Sequence, residues 1–410
     1  MQDRRLYEKI LGIEKPWTIE RVELKKEEEE IHVYLVHKKG CLWECPECGK
    51  ECRLYDHQPE REWRHLDTCQ YETILHAEVP RSNCREHGAL AVKLPWAEPM
   101  SHFTALFEAV AIDWLREASQ KAVARRMRLT WEEIHGIMER AVKRGLLQRK
   151  AEPVTHLGVD EKAFRKGRRY LTIVNDLDRG RVLYVAPDRK QTSLDGFWPT
   201  LTGKQRDSIE AVAMDMWKPY VNSTAANLPD GASKIVFDKF HIVGHLGDAV
   251  DKVRRGEQKI LKKEGDNRLD GTKYDWLRNP VNFKKDDWLE FQKLRKSDLK
   301  TARAWALKES AVRLFDHSSE DDAKIHFRRW YFWATHSRLK PMIHVARSLK
   351  EHLPNIITYI KHKITNAMSE SLNSKIQWVK YTARGFRNQS NFVNAIYFHC
   401  GGLDLAPLST

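Results

Sequence analysis

The sequence predicts a multidomain protein of the mixed α/β class, and three observations support that prediction. The chain has 410 residues, enough for two or more domains and a sizeable core. Six of its seven cysteines lie between Cys41 and Cys84, a clustering that is typical of a metal-binding module. After Pro153, short apolar runs and helical segments follow in the order β-β-β-α-β-α-β, which indicates a mixed sheet with helices on its faces.

The N-terminal part is predicted to begin with β-structure and to end with helices. Residues 17–40 are typical of a β-hairpin, because "IHVYLVH" alternates apolar and polar residues as a half-buried strand does. A cysteine-rich segment extends from Cys41 to about Trp96. Residues 101–150 then predict successive helices, and Pro153 ends that pattern.

The segments after Pro153 predict the sheet in order. "VTHLGVDEK", "RRYLTIVND" and "GRVLYVAPD" are three strands, and "SLDGFWPTLTGKQRDS" is a helix with Ser193 or Asp195 as its cap. "IEAVAMDMW" is the fourth strand, "KPYVNSTAANLPD" a helix, and "SKIVFDKFHI" the fifth strand. Residues 250–359 are predicted to be helical, and the C-terminal stretch to be helix, turn, helix.

These segments predict five divisions of the chain. They are a hairpin and zinc-binding domain (1–98), a helix-turn-helix domain (99–152), the first part of a sheet domain (153–249), a helical insertion (250–360) and the second part of the sheet domain (361–410). The insertion contains several tryptophans, which we interpret mainly as helical core, although an exposed one would be able to stack on an unpaired base. These tryptophans are Trp276, Trp288, Trp305, Trp330 and Trp333.

The charge balance favours a polyanionic partner. The formal net charge is +14, with Lys and Arg along the whole length, which favours nucleic acid first and an anionic membrane surface second. No apolar stretch approaches the roughly 20 residues of a membrane helix, and the N-terminus lacks an apolar signal core. We therefore expect a cytoplasmic, nucleoid-associated protein with no membrane partner and no disulfide framework.

Two arms of soft and borderline ligands predict a structural zinc site. "CPECGK" supplies Cys45 and Cys48, and "NCREHG" supplies Cys84 and His87. Four such ligands suit tetrahedral Zn²⁺ and leave no open position for catalysis. Cys41, Cys52 and Cys69 are alternative ligands, and His87 is the ligand that they would most readily replace.

A helix-turn-helix is predicted next. "SQKAVARRM", "RLT" and "WEEIHGIMERAVKR" give two helices joined by a short turn, with Thr130 and Glu133 spaced as a capping box. In this motif the second helix enters the major groove of DNA. An ordinary helical hairpin is the alternative. Candidate DNA-binding residues here are Lys121, Arg125, Arg126 and Arg128.

Two aspartates are predicted to meet at one edge of the sheet. The first strand ends "GVDE" and the fourth "AMDMW", so Asp160 and Asp215 would protrude from neighbouring parallel strands. Carboxylates so close repel each other unless a cation lies between them, and hard oxygen ligands suit Mg²⁺. The basic residues that follow Asp160 would hold a phosphate backbone beside that metal. They are Arg165, Lys166 and Arg168.

A third acid is predicted on a late helix. Asn366, Glu370 and Asn373 share one helix face, and Leu372 and Ile376 form an adjacent apolar stripe that would pack on the sheet. Glu370 would then project toward the two aspartates and complete a site for two metal ions. Phosphate-clamping candidates just after this helix are Lys380, Arg384 and Arg387.

Asp160, Asp215 and Glu370 resemble the DDE triad of RNase-H-like transposases and integrases. The chain is most similar to bacterial insertion-sequence transposases with an N-terminal zinc knuckle, a helix-turn-helix and a helical insert before the glutamate. The stretches that carry the resemblance are "GVDE", "FDKFHI", "TNAMSESLN" and "ARGFRN", although Ser371 stands where such proteins often have Gly.

The resemblance implies a DNA transposase with an RNase-H-like core. Such an enzyme would bind terminal inverted repeats, cut DNA with two Mg²⁺ (or Mn²⁺) ions and join the free end to target DNA, as a homodimer or larger assembly. A nuclease or resolvase that cuts without joining is one alternative, and a non-catalytic DNA-binding regulator is another. Asp238 competes with Asp215 for the second position; with His241 it is otherwise expected to orient ligands or touch DNA, as are Asn366 and Asn373.

Overall fold

The computed structural model describes residues 2–165, 169–362, 364 and 367–407, and its contacts divide the chain into two units. The first unit comprises Met1–Arg149 and Lys380–Thr410, and the second comprises Lys150–Val379. The five domain boundaries predicted from the sequence are finer than this division and stay a prediction. Lys166, Gly167, Arg168 and Asn366 lie outside the described residues.

The first unit begins with a helix and an antiparallel hairpin, and the predicted hairpin is confirmed. Helix α1 is followed by β1 and β2, which pair from Trp17 opposite His37 to Lys25 opposite Glu30. The sheet has the order β1-β2-β6-β5, with β7 on β6, and the short strands β3 and β4 form a separate ladder. The bounds are α1 Gln2–Leu11, β1 Trp17–Lys25, β2 Glu30–His37, β3 Trp43–Glu44, β4 Glu51–Cys52, β5 Leu54–Thr68, β6 Tyr71–Cys84 and β7 Gly88–Ala91.

Three helices follow in the same unit, α2 (Ala105–Glu117), α3 (Gln120–Met127) and α4 (Trp131–Leu147). Their buried apolar faces form one cluster, to which Val123 of α3 and Ile134, Ile137 and Met138 of α4 contribute. Arg128 ends α3 in the left-handed region, with φ of 57°. The turn after it leads to Thr130, which caps α4.

The second unit contains the predicted mixed sheet. Its order is β10-β9-β8-β11-β12; β8, β9 and β10 are antiparallel neighbours, while β11 runs parallel to both β8 and β12. The first strand therefore neighbours the fourth, as the sequence predicts. The bounds are β8 His156–Arg165, β9 Arg169–Asp176, β10 Arg181–Pro187, α5 Gln191–Asp195, α6 Gly203–Ser208, β11 Ala211–Met214, α7 Lys218–Asn227, α8 Gly231–Lys234 and β12 Ile235–Phe237.

Two local predictions in this sheet were wrong. The single helix expected from Ser193 breaks into α5, a 3₁₀ turn at Trp198–Thr200 and α6, because Pro199 interrupts the helical hydrogen bonds. Ser193 and Asp195 lie inside α5 and do not cap it, whereas Thr202 caps α6 in a capping box with Gln205. The fifth strand ends at Phe237, where the next residue starts a long helix.

That long helix opens the helical insertion. The helices are α9 Lys239–Lys263, α10 Lys273–Leu277, α11 Lys285–Arg295, α12 Lys300–Val312, α13 Glu320–Thr335, α14 Lys340–Glu351 and α15 Leu353–His362. Trp276, Trp305 and Trp330 are buried in its core, as predicted, whereas Trp333 is 45% exposed. Among the described residues, no helix combines the length and the apolar character that crossing a membrane requires.

The chain ends with α16 (Ala367–Thr382) and α17 (Gln389–Cys400). Helix α17 belongs to the first unit, where Phe398 and Leu405 are buried in the same cluster as the three helices α2, α3 and α4. Buried Arg144 of α4 donates a hydrogen bond of 2.7 Å to the backbone oxygen of Leu405. The core around the helix-turn-helix is therefore completed by residues from the end of the chain.

Candidate functional site

The strand register places the two predicted aspartates at the same edge of the sheet. Ala213 of β11 lies opposite Gly158 of β8, and two further residues along each strand lead to Asp215 and Asp160. The backbone N–H of Glu161 donates to Asp160 Oδ1 and that of Met216 donates to Asp215 Oδ1, both at 2.6 Å. Each carboxylate is partly exposed, and these backbone contacts leave its Oδ2 available to other partners.

His241 lies between Asp215 and Asp238. Its Nδ1 is 3.6 Å from Asp215 Oδ2 and its Nε2 is 3.7 Å from Asp238 Oδ2. The Asp238 side chain is only 6% exposed and accepts a hydrogen bond of 2.9 Å from the backbone N–H of Phe240, so it is the N-cap of α9. Capping α9 is therefore a local role of Asp238, and which of Asp215 and Asp238 belongs to the metal site stays a prediction.

Helix α16 packs closely against β8. A Cβ atom at Gly158 would lie 2.8 Å from Ser369 Oγ and 2.7 Å from Leu177 Cδ2, so only glycine permits this approach. Leu372 and Ile376 are buried, as the predicted apolar stripe requires. The packing brings the helix that carries Glu370 beside the strand that carries Asp160.

One residue of α16 contacts Asp160 directly. Asn373 Nδ2 donates to Asp160 Oδ2 at 2.5 Å, and Lys162 Nζ donates to the backbone oxygen of Asn373 at 3.3 Å. Asn373 Oδ1 is buried and accepts no hydrogen bond from the described residues. Glu370, three residues earlier, is exposed. Asn373 therefore fixes the orientation of Asp160, while Glu370 faces solvent.

The oxygen donors at this edge suit a hard divalent cation such as Mg²⁺, which binds through one or two carboxylates and retains water. Among the described residues, three groups of side chains bring their ligand atoms within 4.8 Å of one another, and the three predicted acids are not one of these groups. Their convergence on metal ions stays a prediction. The three groups are Cys45–Cys48–Cys84–His87, His156–Glu210–His362 and Glu28–Glu30–His32.

An arginine contacts two aromatic rings, one of which, Trp217, follows Asp215 by two residues. Arg189 Cζ is 4.4 Å from the ring centre of Tyr170 and 4.8 Å from that of Trp217. Its Nη1 is 3.0 Å from Glu161 Oε1, the neighbour of Asp160. No sequence spacing predicts this cluster, and its one local signal is the tryptophan two residues after Asp215.

The predicted basic residues are mostly exposed. Arg165 is exposed, with its guanidinium 5.2 Å from the ring centre of Phe164, and Arg384 and Arg387 are exposed in the first unit. Lys380 is half-buried. Lys166 and Arg168 lie outside the described residues, as does Asn366. A role of these side chains in binding DNA stays a prediction.

The four predicted zinc ligands come together in the first unit. Cys45 and Cys48 lie between β3 and β4, while Cys84 ends β6 and His87 precedes β7. The Cys45 Sγ–His87 Nδ1, Cys48 Sγ–Cys84 Sγ and Cys84 Sγ–His87 Nδ1 distances are 3.8, 3.8 and 3.6 Å. With Zn–S near 2.3 Å and Zn–N near 2.0 Å, tetrahedral geometry separates ligand atoms by about 3.5–3.8 Å. The residues therefore fit a zinc ion.

The cysteine environment also favours metal binding. The backbone N–H groups of Glu86 and His87 lower the pKa of Cys84 to about 6, which favours the thiolate that binds metal. Cys52 is buried beside the four ligands, but its Sγ faces the backbone oxygen of Lys50 at 3.3 Å, and burial raises the pKa of its thiol. Cys52 is therefore better suited to line the site as a buried, neutral thiol than to bind the metal.

The helix-turn-helix has the predicted capping box. Thr130 Oγ1 accepts from the backbone N–H of Glu133 at 3.3 Å, and Glu133 Oε2 accepts from that of Thr130 at 2.8 Å. Lys121, Arg125 and Arg126 are exposed on α3. Arg128 differs, because it forms ion pairs with two acids of the N-terminal sheet.

Those acids are Asp67 and Glu72, and the distance from Arg128 Nε to Glu72 Oε1 is 3.0 Å. Its guanidinium therefore already has acidic partners, and a contact with DNA phosphate would have to compete with them.

Comparisons with protein families cover the chain in three consecutive stretches. Residues 42–87 match the zinc-finger of transposase IS204/IS1001/IS1096/IS1165. Residues 92–142 match the helix-turn-helix domain of transposase family ISL3. Residues 157–396, more than half of the chain, match the transposase model of the same family. The first stretch contains all four predicted zinc ligands, and the last contains Asp160, Asp215 and Glu370.

Curated relatives are similar over nearly their whole length. The chain is 29% identical to the transposase for insertion sequence element IS1557 of Mycobacterium tuberculosis, over 95% of this chain and 93% of the relative. It is 26% identical to the transposase for insertion sequence element IS1001 of Bordetella parapertussis, over 96% of this chain and 97% of the relative.

Proposed function

Because the chain belongs to the ISL3 family of transposases, we propose that it is the transposase of an insertion sequence and acts by metal-dependent phosphoryl transfer on DNA. The observation that carries this proposal is the position of Asp160 and Asp215 at one edge of neighbouring parallel strands. The close packing of α16 against Gly158 supports it, because it brings the helix of Glu370 to the same strand.

Asp160, Asp215 and Glu370 would hold two Mg²⁺ or Mn²⁺ ions, whose chemistry is to activate the attacking oxygen and to stabilise the leaving oxygen. Asn373 is a positioning residue, since its amide fixes Oδ2 of Asp160. His241 lies between Asp215 and Asp238, 3.6 Å from the first and 3.7 Å from the second, and would help to orient both acids. Arg165, Lys166 and Arg168 would bind the phosphate backbone by charge.

The N-terminal modules would select the DNA. A zinc knuckle formed by Cys45, Cys48, Cys84 and His87 would stabilise the small ladder of β3 and β4, and α4 would enter the major groove of the terminal inverted repeats. Joining two ends to a target requires both ends in one complex, so the active form would be a homodimer or a larger assembly. Such a protein would act on the nucleoid in the cytoplasm.

Cleavage of end-labelled DNA that spans the ends of the element tests the proposal. With Mg²⁺, wild type should cut at the element end, while Asp160→Ala, Asp215→Ala and Glu370→Ala should lose cutting and still bind the DNA. Asp160→Cys should regain cutting with Mn²⁺ but not with Mg²⁺, because a thiolate is a softer ligand. Glu290→Ala, which removes a side chain 73% exposed on the helical insertion, is the matched control and should cut normally.

The outcomes separate the alternatives. Cutting that survives Asp160→Ala contradicts the assignment of the site. Cutting without strand transfer indicates a nuclease or resolvase, and binding without cutting by wild type indicates a regulator.

The same assay decides between Asp215 and Asp238. Asp238→Ser keeps a side chain that can cap α9, so it should cut nearly as well as wild type. A loss of cutting in Asp238→Ser equal to that in Asp215→Ala would assign Asp238 to the metal site.

A further inference from the structure

We propose that Trp217, backed by Arg189 and Tyr170, is a binding site for an unpaired nucleobase next to the cut. This inference rests on the proposed function and adds a substrate contact that the acids alone do not provide. Trp217 is 37% exposed, and its indole Nε1 donates to the backbone oxygen of Arg189 at 2.9 Å. The ring is therefore held in one orientation while part of its surface remains open to a ligand.

The stack is built in advance of any ligand. The Arg189 guanidinium lies over Tyr170 and Trp217, with Cζ 4.4 and 4.8 Å from the two ring centres. Glu161 fixes the same guanidinium with an ion pair of 3.0 Å. Since the side chains are already ordered, a base that stacks on the indole costs little further conformational entropy.

The chemistry of the stack favours a base over a phosphate. Glu161 balances the charge of Arg189, which weakens its attraction for a phosphate group. Trp217 offers an aromatic ring that is 37% exposed, and every base has a face that can stack on it. Within a duplex those faces are covered by neighbouring base pairs, so Trp217 can take only a base that has left its stack.

The position of the stack specifies which base this is. Trp217 is two residues from Asp215, so their Cα atoms are at most about 7 Å apart, which is close to the reach of one nucleotide. Glu161 is adjacent to Asp160. A strand whose phosphate lies at the acids would therefore present the nucleotide flanking the cut to Trp217, and holding that base out would fix the phosphate in place.

Cleavage of DNA with single abasic sites around the cut tests the contact. On intact DNA, Trp217→Ala should cut about 5- to 150-fold more slowly than wild type, the range for loss of one base–aromatic stack, and Trp217→Phe should restore most of the rate. At one flanking abasic position, wild type and Trp217→Ala should cut at nearly equal rates, because no base remains to stack. Tyr274→Ala, an exposed aromatic with Lys273 over its ring, is the matched control and should show no such position.

A Trp217→Ala defect that stays the same at every abasic position would overturn the proposal, since the residue would then be only structural. So would a Trp217→Ala variant that cuts intact DNA at the wild-type rate.

Binding without cutting separates this inference from the proposed function. In Ca²⁺, wild type should bind end DNA with one unpaired flanking nucleotide about 5- to 150-fold more tightly than its abasic counterpart, and Trp217→Ala should lose that preference. If wild type shows this Trp217-dependent binding preference but does not cut DNA, the catalytic proposal is refuted and the base-binding proposal stands. If wild type cuts DNA but neither the cleavage assay nor the binding assay shows an effect of the flanking base that depends on Trp217, the base-binding proposal is refuted and the catalytic proposal stands.

Discussion

The substitution Gly158→Ala, which adds a single methyl group, tests how closely α16 packs against the sheet. In Gly158→Ala the new Cβ would lie 2.7 Å from Leu177 Cδ2 and 2.8 Å from Ser369 Oγ, both closer than side-chain atoms tolerate. Leu177 is buried and follows β9, so it has little room to move. Ser369 Oγ must then rotate away from β8 or retreat together with the first turn of α16.

The expected magnitude follows from that crowding. Overpacking a filled interior costs about 1–3 kcal/mol. For a cooperative unit of the size of Lys150–Val379, about 2 kcal/mol corresponds to a melting midpoint lower by about 4–8 °C. A shift of about 1 Å in the position of Glu370 would also slow cleavage by about 100-fold.

Thermal unfolding and DNA cleavage measure the two effects separately. Gly256→Ala is the matched control, because Gly256 lies within α9 and an added Cβ meets nothing within 4 Å. That variant should be more stable by about 0.5–1 kcal/mol and should cut normally. Gly158→Ala should melt earlier, cut slowly below its melting range and bind DNA as wild type does. A Gly158→Ala protein with unchanged melting and unchanged cleavage would refute the packing of α16 on β8.

Three further predictions concern the first unit. Cys84→Ala should lose one zinc per chain and destabilise the unit, whereas Cys41→Ala should keep its zinc; equal metal content by elemental analysis would contradict the ligand set. Thr130→Ala should cost about 1 kcal/mol in urea unfolding and Thr130→Ser nearly nothing, because serine also caps; equal losses would exclude the capping box. Burial lowers the pKa of His65 to about 4, below its usual 6.5, so the folded state favours the neutral imidazole. As pH falls from about 6.5 toward 4, the unfolded chain takes up the proton first and stability should fall; His65→Asn should flatten that slope, and an unchanged slope would assign it to other groups.

The sequence was sufficient where a pattern is local or follows from topology. Alternating residues predicted the hairpin, and the order of strands and helices predicted that β8 neighbours β11. Thr130 and Glu133 predicted a capping box because its partners are three residues apart. The clustering of Cys45, Cys48, Cys84 and His87 was predictable because CxxC and CxxH arms in one short segment are typical of metal binding.

The sequence was insufficient where a role depends on distant partners. The motif around Asp238 did not reveal that its buried carboxylate caps α9. Arg189, Tyr170 and Trp217 come from three separate segments, so no spacing links them. Pro199 breaks the single helix that was predicted with Ser193 or Asp195 as its cap. Arg128, expected at DNA, is paired with acids from a sheet more than fifty residues away in sequence.

The two-part make-up of the first unit has a consequence for how the protein is synthesised. Phe398 and Leu405 leave the ribosome only after every residue of Lys150–Val379, yet α4 needs them to cover its apolar side. During translation that side stays uncovered, and a product terminated before residue 389 would never cover it. A prematurely terminated chain would therefore expose an apolar surface that chaperones and proteases recognise. Its degradation would leave few fragments with an intact helix-turn-helix that could compete with the full-length protein for DNA.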